Sequence, residues 1–109
     1  MTKRQIFDEE EDNYSRIILH REGVFWKAYN HSAFMLCSQV REYKIATNFY
    51  NSIQFDALFS VGFPCNSEAM HLKGLSILSR SFDRLELQSP SSITEYEYNK
   101  WKPVKFLTR

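Results

Sequence analysis

The sequence predicts a single α/β (α+β) domain: a small mixed β-sheet flanked by helices, in the order β-β-α-β-β-α-β-α. Three observations predict it. The chain has 109 residues, which is room for one hydrophobic core and little more. Short runs rich in β-branched and aromatic residues alternate with segments that open on a capping residue and carry apolar positions at helical spacing. Only three Gly and three Pro punctuate the chain, and no repeat, linker or low-complexity tract divides it.

The elements follow in order. Asp8-Glu9-Glu10-Glu11-Asp12 is an acidic run, and residues 1–13 read as a solvated, disordered leader. Residues 14–109 form the domain. Ser15 to His20 contains a short β-branched run suited to a strand buried on both faces. Arg21-Glu22-Gly23 reads as a turn, and Val24 to Tyr29 as a second strand antiparallel to the first. Asn30 is placed to cap a helix from His31 to Arg41. Tyr43 to Tyr50 reads as a strand, Asn51-Ser52 as a turn, and Phe55 to Phe63 as a longer strand. Asn66 or Ser67 then caps a helix to Ser79, with Met70, Leu72, Leu75, Ile77 and Leu78 as its apolar surface. Phe82 to Gln88 is a final strand. Ser92 and Glu95 have capping-box spacing, and the helix they open runs to Lys102 and stops at Pro103.

Composition narrows the function classes. Hydrophobic residues make up 43 % and charged residues 25 %, both ordinary for a globular protein. Aromatics reach 16 %, with nine Phe, six Tyr and two Trp; such rings fill cores and also stack on bases. Net charge is +1, yet residues 13–109 alone carry 12 Lys+Arg against 8 Asp+Glu. The body is mildly basic. Besides a solvated leader, the acidic segment can act as a nucleic-acid mimic that competes for a basic surface. No apolar run approaches membrane-spanning length, and the N-terminus lacks the apolar core of a secretion signal. A cytoplasmic protein is therefore expected, without membrane association and with Cys37 and Cys65 as buried thiols.

The search for reaction chemistry finds little. Three glycines, Gly23, Gly62 and Gly74, make no phosphate-binding loop. His20, His31 and His71 are scattered, and neither cysteine is near a histidine in sequence, so metal-ligand spacing is absent. No cofactor, metal or enzymatic activity is expected. Cys65, between a strand and a helix N-terminus, is the one nucleophile candidate, set against a plain role as a small residue in a tight turn.

The informative stretch is Arg21 to Ala33, which contains the strand residues Phe25-Trp26-Lys27. Strand alternation sends two adjacent rings to opposite faces. A ring left open beside Lys27 can stack on a base or wedge between base pairs while Lys27 meets a phosphate. The alternative is that one ring packs in the core and the other under a helix. Arg21 and Lys44 are candidates for further phosphate contacts.

Residues 21–33 are similar to the signature of the MutS N-terminal, mismatch-recognition domain, which reads Gly-Asp-Phe-Tyr-Glu, then apolar positions, an acidic pair and Ala. Gly23, Phe25 and Ala33 match, Trp26 replaces the Tyr, and Tyr29 keeps an aromatic character. Val61-Gly62-Phe63-Pro64 before the next helix resembles the family's apolar strand ending in Gly-Ile-Pro. The likeness covers Ile17 to Gln88. It implies a MutS domain I-like fold in which Phe25 is the wedge at a mispaired base. Lys27 stands where the family has the Glu that bonds the base. An ammonium only donates and carries the opposite charge, so the substitution implies general nucleic-acid contact in place of strict mismatch selection. No ATPase accompanies the domain. Stand-alone domains of this kind resemble accessory proteins of diversity-generating retroelements, which implies a DNA or RNA–DNA heteroduplex as ligand and a reverse transcriptase as a possible partner. Two readings of function stand side by side: a nucleic-acid-binding module using Phe25, Trp26, Lys27, Arg21 and Lys44, and a protein-interaction adaptor docking through Tyr96, Tyr98, Trp101 and Phe106 onto such a partner or onto a second copy.

Overall fold

The computed structural model describes residues 1–48 and 57–102. Strand β1 (Arg16–Glu22) and strand β2 (Phe25–Tyr29) form a hairpin joined by Gly23 and Val24 alone, with Glu22 opposite Phe25 and His20 opposite Lys27. Gly23 takes φ +63°. A two-residue hairpin turn with glycine at its first central position is the kind whose twist matches the strands. The turn therefore sits later than the Arg21-Glu22-Gly23 assignment, and Arg21 belongs to β1.

The remaining strands are β3 (Ala46–Asn48), β4 (Leu58–Pro64), β5 (Ile77–Arg80) and β6 (Arg84–Gln88). They join the hairpin in the order β3-β4-β2-β1-β6-β5. The class is α+β as predicted, but among the described residues every ladder is antiparallel, so the expected mixed sheet is corrected. Phe49, Tyr50, the Asn51-Ser52 turn and the start of the expected Phe55 strand lie outside the described residues.

The described residues also form four helices: α1 (Lys3–Glu11), α2 (Asn30–Gln39), α3 (Glu68–His71), which follows a 3-10 turn at Cys65–Ser67, and α4 (Glu95–Trp101). Alternation along the strands sorts the core. Ile17, Leu19, Trp26, Ala28, Val61, Phe63, Leu85 and Leu87 share one face and pack with Ala33 and Leu36 of α2 and Tyr98 of α4. The opposite face carries α1, whose Ile6 packs on Tyr29 and Leu58.

Helix α1 corrects the expected disordered leader. Thr2 caps it reciprocally with Gln5, whose N–H reaches Thr2 Oγ1 at 3.1 Å. Two of its acidic residues are held by the rest of the fold, Glu9 ion-paired with Arg84 and Glu10 buried, while Asp8 and Glu11 stay exposed. Asn30 does not cap α2 by its side chain. It takes φ +44° and its Oδ1 accepts the Phe59 N–H at 2.9 Å, tying the helix start to β4. The helix expected to reach Ser79 ends at His71. Gly74 at φ +86° turns the chain, and residues from Ile77 pair with β6 instead. Met70, Ile77 and Leu78 are consequently exposed, and Leu72 alone of that apolar set is buried. The last capping box is Thr94–Glu97, two residues later than expected. Ile93, whose N–H donates to the Tyr14 carbonyl at 2.9 Å, is buried and holds the chain in place just before it.

Both cysteines are free, half-buried thiols, and burial pushes the Cys37 thiol up. Among the described residues no helix is long and apolar enough to cross a membrane. At Gly62 a Cβ would stand 2.8 Å from the Trp26 carbonyl oxygen and 3.2 Å from Lys27 Cγ. The neighbour at 2.8 Å is backbone and cannot swing away, so Gly62→Ala is expected to lower stability by roughly 1–3 kcal/mol, read as a lower urea midpoint.

Candidate nucleic-acid interface

The hairpin turn decides which of the two adjacent rings is available. Trp26 faces the α2 side and is 1 % exposed, with its indole N–H donating to Glu68 Oε1 at 3.0 Å. Arg80 also pairs with Glu68 and, with the indole, holds that carboxyl below its ordinary range against the opposing effect of burial. Phe25 points to the other face at the sheet's end and is 42 % exposed. Trp26 therefore leaves the set of base-stacking candidates, and Phe25 remains in it.

Lys27 lies two residues along β2 on the same face as Phe25. Register extends this face across the sheet: Phe25 is flanked by Glu22 and Pro64, Lys27 by His20 and Gly62, and His20 in turn by Arg84. Gly62 presents no side chain, and the Lys27 stem lies over it. Lys27 Nζ is 3.9 Å from Glu22 Oε1, and Lys3 Nζ is 3.2 Å from Glu22 Oε2. The Tyr29 hydroxyl also donates to Glu22. Burial pushes the Glu22 carboxyl up, but the Tyr29 and Lys3 hydrogen bonds outweigh it and hold the group below its ordinary range. Two ammonium groups thus share one carboxylate beside an open aromatic ring.

Arg21 is brought to the same end of the sheet but on the Trp26 face. Its guanidinium lies 4.6 Å from the centroid of the Phe82 ring, a cation–π contact. Phe82 and Val24 are the most open apolar side chains there, 78 % and 69 % exposed. Lys44 is exposed in the segment ahead of β3, beyond β4 in the strand order. The structure therefore groups Phe25 with Lys27 and separates both from Arg21 and Lys44.

Sequence reasoning missed three residues of this face: Lys3, His20 and Arg84. The signal for His20 was present, because a two-residue turn at Gly23-Val24 places it opposite Lys27. Lys3 reaches the site only through the docking of α1, and Arg84 only through the pairing of β6 with β1; periodicity reveals neither.

The aromatic C-terminal segment is mostly internal. Tyr98 is buried with its ring centroid 4.1 Å from that of His31, and Trp101 packs 5.3 Å from Phe34. Of the expected docking residues only Tyr96 is open, and Phe106 lies outside the described residues. Cys65 sits in the 3-10 turn with its N–H bonded to the Val24 carbonyl at 2.8 Å. Among the described residues no three His, Cys, Asp or Glu side chains are grouped to hold a metal ion. What the arrangement offers is an exposed ring for stacking and ammonium groups for phosphate, with no carboxylate at position 27 to accept from a base.

Comparison with known proteins returns no match: no family model matches the chain, and neither a curated protein nor a solved structure matches it significantly.

Proposed function

We propose that this chain is a nucleic-acid-binding accessory module without ATPase or other catalytic activity, resembling the MutS mismatch-recognition domain in its use of an aromatic wedge. One observation carries the reading: Phe25 is open at the sheet end on the same face as Lys27, while its neighbour Trp26 is sealed in the core. An exposed ring beside an ammonium matches what base stacking and phosphate contact require. Lys27 carries no acceptor, so the module reads base stacking and backbone more than base identity, on DNA or an RNA–DNA hybrid.

Fluorescence anisotropy with matched duplex, mismatched duplex, RNA–DNA hybrid and single strands tests this. Binding is expected to weaken as salt rises, because neutralised phosphates release counterions. Phe25→Ala is expected to weaken it about tenfold or more through lost stacking. Lys27→Ala is expected to weaken all ligands alike and reduce the salt slope by about one.

A second reading has its own observation. Val24, Met70, Ile77, Leu78 and Phe82 are all exposed apolar side chains, and β5 is a sheet edge of the sort that accepts another strand. An adaptor for a protein partner such as a reverse transcriptase fits these features. Absence of binding to every nucleic acid at low salt would favour it.

A further inference from the structure

Beside Phe25 and Lys27, on the same face of the sheet, a pocket of about 270 Å³ opens under the first turn of α1. His20, Lys3, Arg84, Glu22, Asp83 and Met1 are among its walls. Of the row Lys27–His20–Arg84 that register draws across β2, β1 and β6, the last two line it.

Three nitrogen groups of this pocket have unused hydrogen-bonding capacity. His20 is only 8 % exposed, and its Nε2 is buried with no hydrogen-bond partner. Buried polar atoms of that kind are uncommon, because desolvation without a partner costs about 1–3 kcal/mol. Arg84 Nη1 gives one hydrogen to Glu9 Oε1 at 3.1 Å and points another at the Met1 sulfur, 3.3 Å away. A thioether is a weak acceptor for a guanidinium, and Met1 is 66 % exposed, so it leaves easily. Lys3 Nζ donates to Glu22 and to the Tyr29 hydroxyl, both at 3.2 Å, and an ammonium has a third hydrogen. The first turn of α1 adds the positive end of a helix dipole.

We propose that this pocket binds the oxyanion of a phosphate group, one oxygen meeting His20 Nε2 and another replacing the Met1 thioether on Arg84 Nη1, with Lys3 as a third donor. Burial, with Arg84 beside it, holds the His20 ring below the ordinary histidine range. At neutral pH the ring is uncharged and carries a single N–H, which serves the ligand in the tautomer that places it on Nε2. Glu22 and Asp83 line the same space, and Glu9 and Glu86 neutralise Arg84. Those carboxylates oppose a dianion, so a singly charged phosphodiester is the ligand class that fits. Its source is the backbone of a strand whose base lies on Phe25, one β-strand away. That source rests on the nucleic-acid reading, whereas the oxyanion site does not.

The test follows the His20 side-chain nitrogens by long-range proton–nitrogen NMR on the whole chain. Dimethyl phosphate, a free monoanionic diester, is titrated against sodium chloride at equal ionic strength, and a single-stranded oligonucleotide is titrated separately. A saturable shift at His20 with dimethyl phosphate and not with chloride is expected. His20→Gln is expected to weaken both ligands about tenfold, the loss of one hydrogen bond to a charged group. His20 nitrogens that ignore dimethyl phosphate overturn the pocket. Oligonucleotide binding that needs Phe25 but not His20 refutes the assignment of the strand backbone to this pocket and leaves the nucleic-acid module standing. A response to dimethyl phosphate without any oligonucleotide binding confirms the oxyanion site and removes its assigned source.

Discussion

Glu10→Gln is expected to stabilise the protein at pH 8.5 and to leave it little changed at pH 5. Glu10 is buried at the end of α1, where its carboxylate accepts the Ser32 N–H at 2.8 Å and the Ser32 hydroxyl at 2.7 Å. The Asn13 amide lies 3.3 Å away. These donors lower its pKa, but burial outweighs them and pushes the group up from 4.5 to about 8. The folded protein therefore keeps this proton to a higher pH than the unfolded chain. Between about pH 4.5 and 8 the folded state binds more protons, so stability falls as pH rises through that window and levels off above it. The full span corresponds to at most roughly 5 kcal/mol. Glutamine keeps one oxygen for the Ser32 N–H, and the Ser32 hydroxyl can turn to the Arg16 carbonyl, 3.4 Å away. Allowing for one poorer hydrogen bond, the gain at pH 8.5 is roughly 2–4 kcal/mol. Urea unfolding of both proteins at the two pH values measures it. Parallel stability curves would mean that Glu10 is not buried as described.

The second large effect separates two neighbouring rings. Trp26→Ala is expected to cost roughly 3–5 kcal/mol, the loss of a large side chain from a closed core. It also removes the indole N–H from Glu68. Phe25→Ala is expected to change stability by less than about 1 kcal/mol, because its ring is already half in solvent. Thermal or urea unfolding decides this, and a Phe25→Ala loss as large as that of Trp26→Ala would show that both rings are structural.

Much of the centre of the fold was legible. The run Ile17-Ile18-Leu19 marked a strand buried on both faces, and all three side chains are fully buried. The alternation Phe25-Trp26 put the two rings on opposite faces but left open whether either is exposed, and in the structure Phe25 is the open one. Legibility failed where tertiary contacts overrode local pattern. The charge of residues 8–12 reads as solvated, yet Ile6, Glu9 and Glu10 each meet a partner supplied by the sheet or by α2. Ile77 and Leu78 fit a helical face, but Gly74 breaks the helix and β6 offers Ile77 a strand to pair with. The face around Phe25 was half legible. Lys27 follows from sequence alone, whereas His20 needed the correct turn and Arg84 needed the sheet order.

The account stands most directly on whether Phe25 meets nucleic acid. Wild type and Phe25→Ala, shown to unfold at similar denaturant concentrations, would be compared by anisotropy on the same labelled strands at low and moderate salt. The account predicts salt-sensitive binding by wild type that falls about tenfold or more in the variant. Equal binding by the two proteins would contradict it, as would a wild type that binds none of the strands at low salt.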